Sequence, residues 1–236
     1  YERNSNNLKT ALSKLEKADI EPNGFAAPFG EWNPALAQVL EDMNFAYSSE
    51  FTLDYDDLPF FPFLKDGFSA VLQIPIHPIS SGRLRRSHFS EEEMLEYYRK
   101  HIEAKQNEPI IIYHHPHHHH FKVFDEVFKI INKKKFHNIT MSEYSSWWKK
   151  RSQVKMDLKY DGNEIISENP KESIYLRIST KDGDAVTNMN HRILLSKLDL
   201  KQPEKIIQPE KIERIRKKHW RDLLYNYESR RRKSKK

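Results

Sequence analysis

Apolar residues along the first two thirds of the chain recur at two alternating spacings. Leu8, Ala11, Leu12 and Leu15 fall three and four apart, which predicts an amphipathic helix over 4–18. Gly24-Phe25-Ala26-Ala27 reads as a short buried strand that stops at Pro28. Asn33-Pro34 is an N-cap with proline in the first helical position, and Leu36, Val39, Leu40 and Met43 give that helix its apolar stripe. A short strand is expected at 45–48. Residues 50–68 are aromatic and acidic with two prolines, which predicts a long structured loop. The apolar run 70–76, interrupted by Pro75, predicts a strand. Ser90 and Glu93 then form a capping box ahead of Met94, Leu95, Tyr98 and Ile102.

Ile110-Ile111-Ile112-Tyr113 has the β-branched character of a buried strand. Phe121, Phe124, Val127, Phe128 and Ile131 mark the next helix. Asn138-Ile139 is a brief strand, and Thr140 with Glu143 caps a helix running through Trp147 and Trp148. Helices and strands therefore alternate, which argues for a mostly parallel α/β sheet or barrel. After Arg151 the period changes to two. Val154, Met156, Leu158 and Tyr160 alternate before Asp161-Gly162-Asn163, and Ile174, Leu176 and Ile178 alternate before Asp182-Gly183. This is hairpin patterning. Three segments follow: an α/β part over 1–151, a small β-rich module over 152–202, and a linker with a basic amphipathic helix over 203–236.

Composition narrows the chemistry. Apolar residues make up 37% of the 236 and charged residues 31%, so a core is affordable but much of the chain is surface. There is no cysteine, which excludes disulfides, zinc–thiolate centres and cysteine nucleophiles. The net charge of +6 is concentrated in residues 211–236 rather than spread over the surface. No run of apolar residues is long enough to span a bilayer. The chain opens at Tyr1 in polar helical sequence, so it is expected to be a fragment, and its compartment stays open.

Two strand-to-loop junctions carry candidate chemistry. The first strand runs into Pro28-Phe29-Gly30. The run 110–113 ends in His114-His115-Pro116. Between them lies the acidic loop with Asp54, Asp56 and Asp57, and His77 stands between Pro75 and Pro78 at another strand end. In this order the junctions resemble the later motifs of the polysaccharide deacetylase (NodB-homology) superfamily, over roughly residues 1–150. Pro28, Phe29 and Gly30 match its third motif, but Ala26 stands where that family has an arginine. The acidic loop occupies the place of the fourth motif, with Leu58 after Asp57 in place of the usual tryptophan. His115 aligns best with the histidine of the fifth motif, and His114 takes its place if the register shifts by one.

The resemblance implies the C-terminal part of a (β/α) barrel of the deacetylase type. It implies a hydrolase for the carbon–nitrogen bond of an N-acetylated glycan, using a divalent metal such as zinc. The family's first two motifs, an Asp-Asp pair and a His-x-x-x-His pair, carry the metal ligands and have no counterpart here. No metal ligand is therefore assigned, a metal is expected only in the full-length parent, and the chain as given is expected to be inactive. His115 would protonate the leaving amine, Asp54 or Asp57 (or Asp56) would hold its charge, and the Phe29 backbone N–H would meet the oxyanion. Pro28, Gly30, His77 and His114 would line the substrate side. The alternative is a non-catalytic carbohydrate-binding or scaffold member of the same fold, which Ala26 favours. His117-His118-His119-His120 reads as an exposed loop, because successive side chains diverge and cannot all meet one ion. The basic C-terminal helix reads first as a docked amphipathic helix. An anionic membrane surface is a second possibility, and nothing firm points to nucleic acid. The oligomeric state is open.

Overall fold

The computed structural model describes residues 1–50, 58–77, 79–105, 109–115 and 120–202. It divides the chain into two compact units, the first running Tyr1–Ser145 and the second starting at Ser146. The division falls within the helix Met141–Ser152, whose C-terminal end is where the sequence pattern changes period.

In the first unit a helix α1 (Glu2–Glu16) precedes β1 (Gly24–Phe25), and α2 (Pro34–Asp42) leads to β2 (Tyr47–Ser48). The Asn33 side chain accepts the Leu36 N–H at 2.9 Å, so the N-cap predicted from Asn33-Pro34 forms. Leu36, Val39 and Leu40 of α2 are buried against Leu8 of α1, Phe45 and Val71. Helical spacing of these residues is what makes one face of α2 bury and the other remain wet.

Next comes a hairpin, β3 (Phe63–Leu64) with β4 (Gly67–Phe68), where the sequence predicted only loop. Gly67 sits at φ 142°, a region that glycine tolerates. Phe63 and Phe68 face each other across this hairpin, 5.2 Å apart and edge-on, and both are exposed. After it, β5 (Leu72–Gln73) joins the sheet. The order is β1-β2-β5, all parallel, with Gly24 beside Tyr47 beside Leu72 and Phe25 beside Ser48 beside Gln73. Glu41 steadies the approach to β5 by accepting the Ala70 and Val71 N–H groups and the Ser69 hydroxyl.

A short helix α3 (Ser81–Arg86), not foreseen in the sequence, follows β5. Then come α4 (Glu91–Ala104) and α5 (Phe121–Lys133). The capping box is present in full: Ser90 Oγ accepts the Glu93 N–H, and Glu93 accepts the Ser90 N–H. Met94, Tyr98 and Ile102 of α4 meet Val123 and Val127 of α5 over Ile79 and Leu84, forming a second core. Burial pushes the Tyr98 hydroxyl far above its ordinary pKa. The run 110–113 forms no ladder; a backbone bond from the His77 N–H to the Ile111 C=O at 2.8 Å joins it to the preceding segment. Asn138 and Ile139 are likewise not a strand.

The second unit takes up the remainder of the Met141–Ser152 helix, here α6, and then five strands. β7 (Glu164–Ser167) lies between β6 (Leu158–Tyr160) and β10 (Arg192–Leu194) in an antiparallel sheet. β8 (Lys171–Thr180) and β9 (Gly183–Met189) form a separate long hairpin. Asp161 accepts the N–H groups of Asn163 and Glu164, which makes the turn between β6 and β7. The fold is thus mixed α/β with several small sheets. Among the described residues none of these sheets closes, so a partial barrel goes beyond what they form.

Candidate functional site at the ends of the parallel strands

Because β1, β2 and β5 are parallel, their C-terminal ends lie on one side of the sheet. Three segments leave from there. Pro28–Gly30 forms a single 3-10 turn, closed by the Gly30 N–H on the Ala27 carbonyl at 3.0 Å, with Gly30 at φ 65°. Ser49 and Glu50 continue β2. Ser49 donates to the Phe25 carbonyl at 2.9 Å, and Glu50 accepts the Ile76 N–H at 3.3 Å through its backbone. Ile74 to His77 continue β5, and His77 meets Ile111 as described above. The Pro28 turn therefore shares a side of the sheet with Glu50 and His77, and His77 is bonded to the segment that carries His114 and His115.

Glu50 is completely buried at this edge. Its side chain accepts the Ala27 N–H at 2.9 Å and reaches the Ser48 hydroxyl at 2.8 Å and 2.7 Å through its two oxygens. Loss of water raises its pKa above the ordinary carboxyl value, against the opposing pull of Ser48, the nearby Gln73 amide and the Ala27 N–H. Gln73 itself does not meet hydrogen-bond geometry. Such a carboxyl is suited to carry a proton, or to tie two strand ends together. Sequence reasoning placed Glu50 in the loop and gave it no role. The signal available was its position two residues after Ser48, which in an extended chain puts both side chains on one face.

Imidazoles occupy the neighbouring edge. His77 is completely buried, its Nε2 paired with the Tyr97 hydroxyl. The His101 ring stacks on it at 4.1 Å and 28°. Tyr97 and His101 stand four apart on α4, so one helix face presents both rings to His77. Farther along, His114 Nδ1 lies 2.8 Å from Ser81 Oγ, and the His114 ring packs on Phe124 at 4.4 Å. His115 points elsewhere: it is exposed and sits edge-on to Tyr113 at 5.6 Å. Of the two histidines that the motif leaves open, His114 is the one turned into the fold.

Pro28 and Ala26 are exposed, Gly30 is half-buried, and Phe29 contributes its backbone to the 3-10 turn. Asp54, Asp56 and Asp57 lie outside the described residues, as do His117, His118, His119 and the basic helix. His120 is described and buried, with Nδ1 3.7 Å from the Glu91 carboxylate. Among the described residues no three histidines or carboxylates come together as metal ligands. The rings of His77 and His101 are stacked face to face. The described residues therefore do not fit a divalent metal.

No protein-family model matches the chain, and no curated protein matches it. Among solved structures it matches a Mycobacterium smegmatis protein provisionally described as a polysaccharide deacetylase, at 17% identity and a TM-score of 0.48. The match covers 66% of this chain, and the chain spans 60% of the length of that structure. The likeness lends no weight to a function.

Proposed function

We propose that this chain is the C-terminal portion of a polysaccharide deacetylase-like hydrolase, acting on the carbon–nitrogen bond of an N-acetylated glycan and inactive in the form given. What supports the reading is one relationship: the Pro28 turn, the buried Glu50 and His77 follow the C-terminal ends of adjoining parallel strands, and the segment that carries His114 is hydrogen-bonded to His77 through Ile111. Enzyme sites of α/β sheets gather at that end, because the strand termini place side chains from separate segments side by side.

In this reading the backbone N–H of Phe29 faces the carbonyl oxygen of the acetamide, where negative charge develops. An imidazole, His114 or His115, gives a proton to the leaving amine. Asp54 or Asp57 would hold the charge of that imidazole, His77 would stand on the substrate side, and the buried Glu50 ties the Pro28 turn to the end of β2. The metal-activated water that such a hydrolysis uses is not supplied by the described residues. A metal in the parent protein would be held by residues beyond those described here.

A second reading, a non-catalytic glycan binder or scaffold of the same fold, is favoured by Ala26. It is exposed and has only a methyl group where the family motif has a guanidinium. The two readings separate in one assay series. Acetate release from chitooligosaccharide is measured on the chain alone and on the chain extended upstream in its gene, each with and without added zinc. The hydrolase reading expects release only from the extended form with zinc. Binding of the oligosaccharide by both forms, with release from neither, moves the assignment to the binder. No binding by either form removes both.

A further inference from the structure

We infer that Ser81 is a positioning residue for His114, holding the ring in the tautomer that carries its proton on Nε2. The inference rests on the reading above, in which an imidazole at this strand end delivers a proton. It also assigns that imidazole to His114 rather than His115.

Ser81 is the first residue of α3 and is completely buried. Its hydroxyl lies 2.8 Å from His114 Nδ1, its one side-chain partner among the described residues. A hydroxyl has a single proton to place, and a buried one must find an acceptor. If Nδ1 carried the ring proton and donated it to Ser81 Oγ, the hydroxyl proton would have no acceptor among the described residues. Oγ–H therefore donates to Nδ1. That leaves Nδ1 as the acceptor, and the proton of the neutral ring resides on Nε2.

The surroundings hold this arrangement in place. Ser80 caps α3 by accepting the Arg83 N–H, which fixes where Ser81 stands. On its other side the His114 ring lies against Phe124 of α5, with Phe121 beyond it at 6.5 Å. The His77–Ile111 backbone bond sets the level of the segment that carries His114. Complete burial also keeps Ser81 from acting as a nucleophile, so its effect passes through His114. The sequence hides this pair, because Ser81 lies 33 positions before its partner, in a helix with little apolar period.

The test is a long-range imidazole ¹H–¹⁵N correlation spectrum of the full chain near neutral pH, without glycan. The His114 signals are assigned by their loss in His114→Gln. The wild type should show the Nε2–H form, with Nδ1 at the position of an acceptor nitrogen. Ser81→Ala should turn this into a mixture of tautomers, and Ser81→Thr, which keeps the hydroxyl, should restore the wild-type pattern. An Nδ1–H form in the wild type, or a wild-type pattern in Ser81→Ala, overturns the inference. Should Ser81→Ala fail to fold, the wild-type and Ser81→Thr spectra still decide it. Adding chitotriose afterwards tests the functional reading separately. An unmoved Nε2 signal counts against glycan binding and leaves the tautomer assignment standing.

Discussion

The carboxylate of Glu50 accepts the backbone N–H of Ala27 at 2.9 Å, joining the end of β2 to the residue just ahead of the Pro28 turn. The contact fixes a turn whose sequence supplies little to fix it, since Pro28 and Ala26 are exposed. Glu50→Ala should therefore strand the Ala27 N–H and the Ser48 hydroxyl together, at a cost of about 1–3 kcal/mol for each buried donor. Glu50→Gln keeps an acceptor oxygen and should cost much less at low pH. Urea unfolding of the two variants beside the wild type measures the difference.

The same residue sets a pH dependence. Burial raises the Glu50 pKa above its ordinary 4.5, while in the unfolded chain the group ionises near that value. Between the two values the folded state holds the extra proton, so Glu50 erodes stability as pH rises through this window. Below 4.5 both states are protonated and the effect disappears. Glu50→Gln does not titrate. Its stability relative to wild type should thus improve as pH rises from below 4.5 and level off above the raised pKa. A difference between the two proteins that does not change with pH would show that Glu50 ionises normally in the folded state.

His114 and His115 are adjacent in sequence and opposite in situation. His114 is bonded to Ser81 and packed on Phe124, whereas His115 is exposed. His115→Ala should change stability by no more than about 0.5 kcal/mol, as exposed positions usually do. His114→Ala removes a packed ring and leaves the buried Ser81 hydroxyl without its partner, which should cost about 1–3 kcal/mol. The same pair of variants, assayed for glycan binding, identifies which histidine the ligand meets.

Gly24 has no room for a side chain. A Cβ there would collide with the ring of Tyr47, its neighbour in the sheet. Gly24→Ala must therefore push the Tyr47 ring aside, a crowding that typically costs about 1–3 kcal/mol. The obstacle is a side chain, so Tyr47→Ala should suppress the cost. A double-mutant cycle should show a coupling of about 1 kcal/mol or more between the two positions.

The sequence made the helices plain and left the strand ends obscure, for physical reasons. α2 was legible because Asn33-Pro34 caps it and its apolar residues recur at helical spacing; α4 was legible because Ser90 and Glu93 satisfy each other's backbone donors. Such signals are local. α3 offered none, because Leu84 is its one large apolar side chain among small and basic residues. The β3-β4 hairpin hid because Phe63 and Phe68 face outward as a pair instead of alternating with a buried face. At the site, Pro28-Phe29-Gly30, His77, His114 and His115 were singled out from the sequence because they follow apolar runs, and of the two adjacent histidines the structure turns His114 inward. Ser81, Tyr97 and His101 were not, since the partners that place them lie 20 or more residues away along the chain, and Glu50 was not, since Ala27, which it ties to β2, lies 23 residues before it. Asp54 and Asp57 lie outside the described residues.

The most direct test of the whole account is a titration of the labelled chain with chitotriose, followed by backbone amide chemical shifts. A glycan cleft formed by the strand ends requires the amides of Ala27, Phe29, Gly30, Glu50, His77 and His114 to move together, with one shared affinity. Shifts confined to the β6–β10 module, or no shifts at all, would contradict it.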